Sequence, residues 1–228
     1  MAPLRVFIGY DSRQPLAYNV LAHSIVSRSS VPVAITPLIL SQLPIRRRGL
    51  TEFTFSRYLV PWLCRYEGRA LFLDADMVMV GDVAELFAQA TGAAVSVVMS
   101  QHPFEWPSLM LFECADCRTL TPEWIEDTTN DPAALRWAEA VGALPERWNH
   151  LVGMDELDAP DMPALHHFSQ GLPCWPETQG HPEDDAWKAA LREMTRTCSW
   201  SDLMGSSVHR LPVLRRFLGQ RYGIKLGG

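Results

Sequence analysis

The stretch that decides the fold is Ala70-Leu71-Phe72-Leu73-Asp74-Ala75-Asp76-Met77-Val78-Met79-Val80. An apolar run ends in two carboxylates one residue apart, and a second apolar run follows. Aspartates are rarely buried without a partner, and two neighbouring carboxylates repel each other unless a cation lies between them. Because carboxylate oxygens are preferred ligands of hard divalent cations, Asp74 and Asp76 predict a metal site that holds a phosphorylated ligand. A solvated strand end is the alternative, and the rest of the chain must decide.

The composition is that of a globular protein. The chain has 228 residues, 47% of them hydrophobic and 20% charged, which fits one domain with a multi-strand sheet and helices on both faces. A net charge of -6 argues against a general affinity for nucleic acid. No apolar run approaches the length of a membrane span, and the amino-terminal apolar segment is too short for a signal peptide.

The cysteines indicate the compartment. Their number is odd, and with no secretion signal this predicts a reducing, cytoplasmic setting. Cys114 and Cys117 form a C-x-x-C pair. A redox or zinc role for this pair is the alternative to a structural one, but no second pair exists to complete a zinc site.

Hydrophobic patterning predicts alternating strands and helices. Strands are expected at 4–8, 31–40, 70–73, 93–99 and 109–114, and helices at 15–28, 53–66, 82–90, 122–128, 133–141 and 186–196. Such alternation is typical of an α/β sheet, whose sites gather at the carboxyl ends of strands. Both Gly9-Tyr10-Asp11 and Asp74-Ala75-Asp76 fall at such ends. We therefore expect them to share one site.

The carboxyl-terminal part has a different texture. Prolines, tryptophans and glycines are dense from about 145 to 182, which predicts loops packed over one edge of the sheet. We expect one domain over 1–182 and a helical extension over 183–228 that packs on it. Within the extension, 209–222 is basic and amphipathic. It could contact an anionic membrane surface or dock on the domain.

Two further segments carry candidate site residues. His167 lies in His166-His167-Phe168-Ser169-Gln170-Gly171 and could give a metal its nitrogen ligand, while Gly171 would let the backbone approach a phosphate. A histidine satisfied by a backbone carbonyl is the alternative. Arg57, in Phe53-Thr54-Phe55-Ser56-Arg57-Tyr58, could contact phosphate or sugar oxygens, or could be a surface arginine.

Together these segments resemble a known family, the nucleotide-sugar glycosyltransferases of the GT-A fold, and glycosyltransferase family 8 with its bacterial relatives above all. The matching pieces occur in family order and include a "P-x-x-W-N" segment. They are Val6-Phe7-Ile8-Gly9-Tyr10-Asp11, Ser56-Arg57-Tyr58, Leu73-Asp74-Ala75-Asp76, Pro145-Glu146-Arg147-Trp148-Asn149 and His167-Phe168-Ser169-Gln170-Gly171. The resemblance implies a Rossmann-like mixed sheet with helices on both faces, in a single domain with a loop-rich carboxyl-terminal part.

The resemblance also implies roles for matching residues. Asp74, Asp76 and His167 would hold Mn²⁺ or Mg²⁺, which would bridge the diphosphate of a UDP-sugar and neutralise the leaving UDP. Further donor contacts would come from Gly9, Tyr10 and Asp11 to the uridine, from Arg57 to the diphosphate or sugar, and from Ala75 and Gly171. The acceptor, a glycan, a lipid or a small molecule, would receive the sugar with retention of configuration.

The catalytic candidates are Arg57 and Glu139. Glu139 stands where relatives tend to have polar or acidic residues, and a helix surface is its alternative. The chain also departs from the family at Pro173 and Cys174, where a lysine and a proline are common. These departures keep open a nucleotide-sugar-binding protein that has lost catalysis.

A second enzyme class also places Asp-x-Asp after an apolar strand. In phosphohydrolases of the haloacid dehalogenase type, the first Asp is a nucleophile, and a lysine and an acidic pair complete the site. Glu183-Asp184-Asp185 could imitate the acidic pair, but Lys188 follows it rather than preceding it. About seventy residues also precede the Asp-x-Asp here, whereas that class normally carries it on the first strand.

Overall fold

The computed structural model describes residues 2–156 and 162–197. Strands and helices alternate along this part of the chain, which confirms the predicted α/β class. The strands are β1 (Leu4–Gly9), β2 (Val33–Leu38), β3 (Arg69–Leu73), β4 (Met77–Met79), β5 (Val95–Val98), β6 (Leu109–Glu113), β7 (Val141–Leu144), β8 (His150–Leu151) and β9 (Leu165–His167). The α-helices are α1 (Pro15–Arg28), α2 (Val60–Leu63), α3 (Val83–Ala88), α4 (Pro122–Glu126) and α5 (Asp184–Thr197).

A six-stranded mixed sheet forms the centre of the molecule, in the order β2-β1-β3-β6-β5-β7. Strand β1 runs parallel to β2 and β3, β6 runs antiparallel to β3 and β5, and β7 runs parallel to β5. The carboxyl ends of β1, β3, β5 and β7 therefore meet at one edge of the sheet. Asp11 and Asp74 follow two of these ends, as the sequence predicts.

Burial follows from position in the sheet. The central strands β3 and β6 are buried on both faces, and both read as almost continuous apolar runs. Strand β2 lies at the edge, and its burial alternates with the side-chain period of two. The apolar run before Asp74 is therefore a central strand, and it carries the aspartates to the carboxyl edge of the sheet.

A second, three-stranded sheet follows directly after the aspartates. Its order is β4-β9-β8, with β4 antiparallel to β9 and β8 parallel to β9. Met77 pairs with His167, and His150 pairs with His166. The sequence predicted only loops between 145 and 182. That prediction is wrong for β8 and β9, which are too short to show a hydrophobic period.

Two predicted helices are wrong in extent or type. The segment 53–66 contains a 3-10 helix, Ser56–Leu59, and the short helix α2, in whose first turn Pro61 lies instead of breaking a longer helix. The segment 133–141 holds the end of a 3-10 helix, Pro132–Ala134. Leu135 then adopts a left-handed conformation, with φ of 57°. This ends the helix, and strand β7 begins at Val141.

The other predicted elements hold. Helix α1 spans the predicted residues, α3 begins after its N-cap Asp82, and α5 covers the predicted carboxyl-terminal helix. The basic segment 209–222 lies outside the described residues, and the division of the chain at residue 182 stays a prediction. Among the residues that the structure describes, none belongs to a helix with the length and apolar character needed to cross a bilayer.

Candidate active site

The two sheets bring the three predicted metal ligands together. The backbone N–H of Asp74 donates to the carbonyl of Ser108 (2.8 Å), which extends the pairing of β3 with β6. On the other side, Phe168 N–H donates to the Asp76 carbonyl (2.8 Å), next to the Met77–His167 pair. Asp76 Oδ1 consequently lies 3.4 Å from His167 Nε2, and one ligand atom of each of Asp74, Asp76 and His167 lies within 4.8 Å of the others.

Asn149 determines which ring nitrogen of His167 carries the proton. Both residues are buried, and Asn149 Oδ1 lies 2.9 Å from His167 Nδ1. The Asn149 amide nitrogen donates to Ser108 Oγ (3.1 Å) and to the Glu105 carbonyl (3.4 Å), so its oxygen must face the imidazole. An amide oxygen only accepts, and Nδ1 therefore carries the proton. The lone pair of Nε2 is left pointing toward Asp76, which is the state in which a histidine binds a metal.

Arg57 holds Asp74. Its Nη2 lies 3.0 Å from Asp74 Oδ1, and its Nη1 donates to the Pro107 carbonyl (2.9 Å). Burial raises the pKa of Asp74 to about 7, although the Arg57 guanidinium opposes this shift. Arg57 thus lies in the predicted site, where its guanidinium contacts a carboxylate. Its contact with a donor stays a prediction.

The charges around His167 are mainly negative. Burial lowers the pKa of His167, but the nearby carboxylates of Asp76, Glu105 and Asp74 outweigh this effect, and the pKa is raised overall. Asp76 Oδ1 is buried and accepts no hydrogen bond from any described residue, whereas the buried Asp74 Oδ1 has Arg57 Nη2 as its ion-pair partner. Two carboxylate oxygens and one imidazole nitrogen suit a divalent ion such as Mn²⁺. The residues present therefore fit the metal that the sequence predicts.

Two cavities meet at Asp76. The Trp175 cavity, about 340 Å³, is lined among others by Asp11, Ala75, Gly171 and Trp175. The Glu105 cavity, about 600 Å³, is lined among others by Arg57, Asp74, Phe104, Glu105 and His167. The two share five lining residues, which are Leu50, Thr51, Phe53, Asp76 and Ser169. A cation between Asp74, Asp76 and His167 would lie where the cavities join.

The predicted uridine contacts differ in their placement. Asp11 lines the Trp175 cavity, and its hydrogen bonds with Arg13 hold the pKa of its carboxyl below the usual range. Gly9 instead lies under the Phe53 ring, where a Cβ would come within 2.5 Å of a ring carbon. Tyr10 packs edge to face on Tyr18, with ring centroids 5.7 Å apart. The structure thus explains Gly9 by close packing and Tyr10 by an aromatic contact.

Gly171 lines the Trp175 cavity, and its contact with a phosphate stays a prediction. Its φ is 129°, which favours glycine, and a Cβ would meet Thr178 at 2.8 Å and the Trp175 ring at 3.1 Å. A side chain at this position would collide with Thr178 and Trp175, so glycine is needed where the chain lines the Trp175 cavity. Ala75 lines the same cavity, between the two aspartates.

Glu139 lies elsewhere. It is exposed in a turn just before β7, and the parallel pairing of Val141 with Val95 places that turn at the amino-terminal edge of the sheet. Asp74 follows the carboxyl end of β3, at the opposite edge. The predicted helix is absent here, and the catalytic prediction for Glu139 finds no support in its position.

Sequence reasoning missed four residues that shape the site. Phe53 and Trp175 form aromatic walls, Glu105 adds a carboxylate 3.9 Å from His167 Nδ1, and Asn149 orients the imidazole. Only Asn149 had a usable signal, because it ends the Pro145-Glu146-Arg147-Trp148-Asn149 segment. Glu105 and Trp175 come from segments without a periodic pattern, and Phe53 begins the segment 53–66, for which the sequence predicts a helix.

The acidic group that a dehalogenase-type site would need is not at the aspartates. Lys188 pairs with Asp184 (3.0 Å) within α5. Glu183 contacts His166, whose neighbour His167 faces the aspartates. Successive residues of a strand point to opposite faces. Glu183 therefore lies across the small sheet from Asp74 and Asp76, and the arrangement does not favour that class.

Comparison with known sequences gives two curated relatives. No protein-family model matches the chain. Protein CDI of Arabidopsis thaliana is 33% identical over 238 residues, covering 88% of this chain and 84% of that protein. Glycosyltransferase GlyB of Streptococcus pneumoniae is 24% identical over 210 residues, covering 76% of this chain and 49% of GlyB. The chain thus spans about half of GlyB but most of CDI.

Solved structures share the fold at low sequence identity. The apo form of glycosyltransferase GlyE from Streptococcus pneumoniae matches 86% of this chain and 64% of its own, with a TM-score of 0.62 and 17% identity. Galactosyltransferase LgtC, in complex with donor and acceptor sugar analogues, matches 85% of this chain and 96% of its own, with a TM-score of 0.54 and 14% identity. These likenesses establish the GT-A fold, and the identity to CDI over most of both chains shows that this chain belongs to the family of the Arabidopsis protein CDI.

Proposed function

We propose that the protein is a metal-dependent glycosyltransferase that uses a UDP-sugar. The observation that carries the proposal is the group of Asp74, Asp76 and His167 at the junction of two cavities. The comparisons support it, since GlyB and GlyE are named glycosyltransferases and LgtC is described with donor and acceptor sugar analogues. Membership of family 8 and retention of configuration belong to the same proposal.

The donor would occupy the Trp175 cavity. The uracil base would stack between aromatic walls such as Phe53 and Trp175, near Asp11, and the diphosphate would approach the backbone at Gly171. Asp74, Asp76 and His167 would hold Mn²⁺, which when bound acts as a Lewis acid on the leaving diphosphate. Asn149 keeps the Nε2 lone pair of His167 free for this ion.

The sugar and the acceptor would occupy the Glu105 cavity. This cavity combines the half-buried Arg57 and the buried Glu105 with the exposed ring of Phe104 at its rim. The exposed Phe104 ring offers a large apolar face on which the C–H groups of a sugar could pack. The acceptor would be a glycan, a lipid headgroup or a small hydroxyl compound, and in this site Glu105 takes the place proposed for Glu139 as the nearby carboxylate.

The four described cysteines are free, and three of them, Cys64, Cys114 and Cys117, are buried. Cys117 Sγ donates to the Ala94 carbonyl (3.2 Å), which gives the C-x-x-C pair a packing role. These observations support the proposed cytoplasmic, reducing location.

The first experiment measures UDP affinity by calorimetry with and without Mn²⁺. We expect Mn²⁺-dependent binding that Asp76→Asn reduces by about a hundredfold or more, since loss of a metal ligand removes the bridge to the diphosphate. Asp116→Asn, a change of an exposed carboxylate outside the site, is the matched control and should bind as the unchanged protein does. Equal affinity in Asp76→Asn would contradict the proposal.

The second experiment separates transfer from binding. A thermal-shift screen of nucleotide sugars with Mn²⁺ identifies the donor, because a ligand that binds the native state raises the melting temperature. Release of UDP from that donor is then measured with candidate acceptors. Metal-dependent binding without UDP release across donors and acceptors would favour a binding protein that has lost turnover.

A further inference from the structure

A second cluster of metal-ligating side chains lies on the opposite face of the small sheet from the aspartates. We call it the His–Glu cluster, and it consists of His150, His166 and Glu183. His150 and His166 are a direct cross-strand pair of β8 and β9, so their side chains share one face. Glu183 immediately precedes α5 and closes the cluster from the helix side.

The three ligand atoms converge on one point. Glu183 Oε2 lies 2.8 Å from His150 Nε2 and 3.0 Å from His166 Nδ1. The side chains are buried, with 7%, 10% and 8% of the surface of His150, His166 and Glu183 exposed. The two imidazole rings are nearly perpendicular, at 82°, with centroids 5.6 Å apart. The Nε2 edge of His150 and the Nδ1 edge of His166 therefore face the same carboxylate oxygen of Glu183.

These contacts have the distances of ion pairs, but their angles do not meet the requirements of a hydrogen bond. His150 Nε2, His166 Nδ1 and Glu183 Oε2 are all buried, and none has a hydrogen-bond partner among the described residues. A buried carboxylate without hydrogen bonds costs several kcal/mol unless a cation compensates it. A single cation bound to all three atoms would remove that cost for each of them at once.

The donor set indicates the class of cation. Two imidazole nitrogens and one carboxylate oxygen are a protein ligand set of Zn²⁺, with a fourth position for water or another side chain. Tetrahedral bonds of about 2.0–2.1 Å place ligand atoms about 3.3 Å apart. The distances of 2.8 and 3.0 Å need an adjustment of only a few tenths of an ångström.

Another histidine and a polar cavity lie next to the cluster, and an ion could enter through that cavity. His181 is 38% exposed beside Glu183, and because its Nδ1 accepts the Glu183 backbone N–H (3.3 Å), only its Nε2 or a water could fill the fourth position. His150 also lines a cavity of about 610 Å³ together with Asp155 and Glu156, whose acidic side chains would attract a cation. The cluster is therefore buried and also next to a polar opening.

We propose that His150, His166 and Glu183 form a second divalent-metal site, selective for Zn²⁺-type ions, that joins α5 to the small sheet. A bound ion would tie β8 and β9 to the start of α5, on the face of β9 opposite to His167. This second site is distinct from the site of Asp74 and Asp76 and does not depend on the proposed transfer activity.

The test uses the full chain with Asp76→Asn as parent, which weakens the first site. After removal of metal with a chelator, Zn²⁺ is added, excess is dialysed away and bound metal is counted by elemental analysis. We expect one equivalent in the parent, and Co²⁺ in place of Zn²⁺ should give the visible absorption of a tetrahedral nitrogen–oxygen site. Zn²⁺ at roughly 100 times its Kd should raise the melting temperature by about 5–10 °C.

Changing one cluster residue at a time in the Asp76→Asn parent then shows which side chains bind the ion. Asp76→Asn/His150→Gln and Asp76→Asn/Glu183→Gln should lose the bound equivalent and the Zn²⁺-dependent shift. Asp76→Asn/His23→Gln, which changes a histidine that faces Glu193 instead, should keep both. The proposal is overturned if the parent binds no Zn²⁺, or if both cluster variants retain it. The result for the parent stands even where a cluster variant does not fold.

Discussion

At the scale of single residues, the imidazole of His167 depends on its neighbour. Its Nδ1 proton is held by Asn149, whose amide is in turn fixed by Ser108 and the Glu105 carbonyl. The neutral ring therefore has one tautomer, in which the lone pair on Nε2 faces Asp76. Such outer partners set the orientation and basicity of metal-binding histidines.

Asn149→Ala should weaken Mn²⁺ binding by about 10- to 100-fold, because the ring loses the acceptor that fixes its proton. Asn149→Asp is the matched variant, since a carboxylate oxygen can still accept from Nδ1, and it should keep most of the affinity. Calorimetric titration of the metal-free protein with Mn²⁺ measures both. Equal loss in the two variants would show that Asn149 acts through packing alone.

Asp74 should make the metal-free fold depend on pH. Its pKa is about 7 in the fold, against an ordinary value of 3.8 for an aspartate carboxyl, so the folded state binds the proton more tightly than the unfolded chain does. Its stabilising contribution is present below about pH 4 and is lost as pH rises to about 7. Three pKa units correspond to about 4 kcal/mol.

Asp74→Asn removes this titration. With a chelator present, the variant should gain stability relative to the unchanged protein as pH rises from 4 to 7, by a few kcal/mol in urea unfolding. With Mn²⁺ at pH 7 the order should reverse, because only the unchanged protein keeps both carboxylates for the ion. A constant difference across this pH range would contradict the assignment of the raised pKa to Asp74.

Part of this site could be predicted from the sequence. Asp74 and Asp76 could be predicted because an apolar strand ends in them, and His167 because its segment resembles a family motif. Glu105 could not, since its 3-10 helix has no period that places it near His167. The prediction of Glu139 rests on where relatives carry polar or acidic residues, and it gains no support from a position before β7, at the opposite edge of the sheet from Asp74.

At the scale of elements, the small sheet positions the two neighbouring histidines. The pairing of Met77 with His167 places that histidine at the aspartates, and the alternation of β9 turns His166 to the opposite face. A slip of one residue would exchange the two histidines, since the side-chain period is two. Strands of two and three residues show no such pattern in sequence, which is why this sheet was not predicted.

Helix α3 offers a test at the same scale. Asp82 Oδ1 accepts from Ala84 N–H (2.9 Å) as N-cap, and Ser30 N–H donates to Oδ2 (3.2 Å), so the side chain joins α3 to the end of α1. Asp82→Ala should cost about 1–2 kcal/mol of unfolding free energy, and Asp82→Asn only part of that. Chemical denaturation measures both. No loss in the alanine variant would mean that the cap contributes nothing.

At the scale of the whole molecule, the two sheets enclose two cavities with a shared wall. Phe53 and Asp76 border both, Trp175 borders only the smaller and Phe104 only the larger. The fold class followed from the alternation of elements along the sequence. The division of the space into two cavities could not be predicted from the sequence. It arises where 3-10 helices and turns without periodicity pack over the carboxyl edge of the sheet.

This division predicts that two aromatic side chains act on different steps. Trp175→Ala should weaken Mn²⁺-dependent UDP binding by about tenfold or more, because stacking of a base on an aromatic ring contributes about 1–3 kcal/mol. Phe104→Ala removes a ring that is 73% exposed at the rim of the other cavity and should leave UDP affinity unchanged. Calorimetry on both variants, with melting temperatures as the folding control, makes the comparison. Equal weakening by the two changes would place the nucleotide across both cavities and remove the basis for assigning the larger one to the sugar and the acceptor.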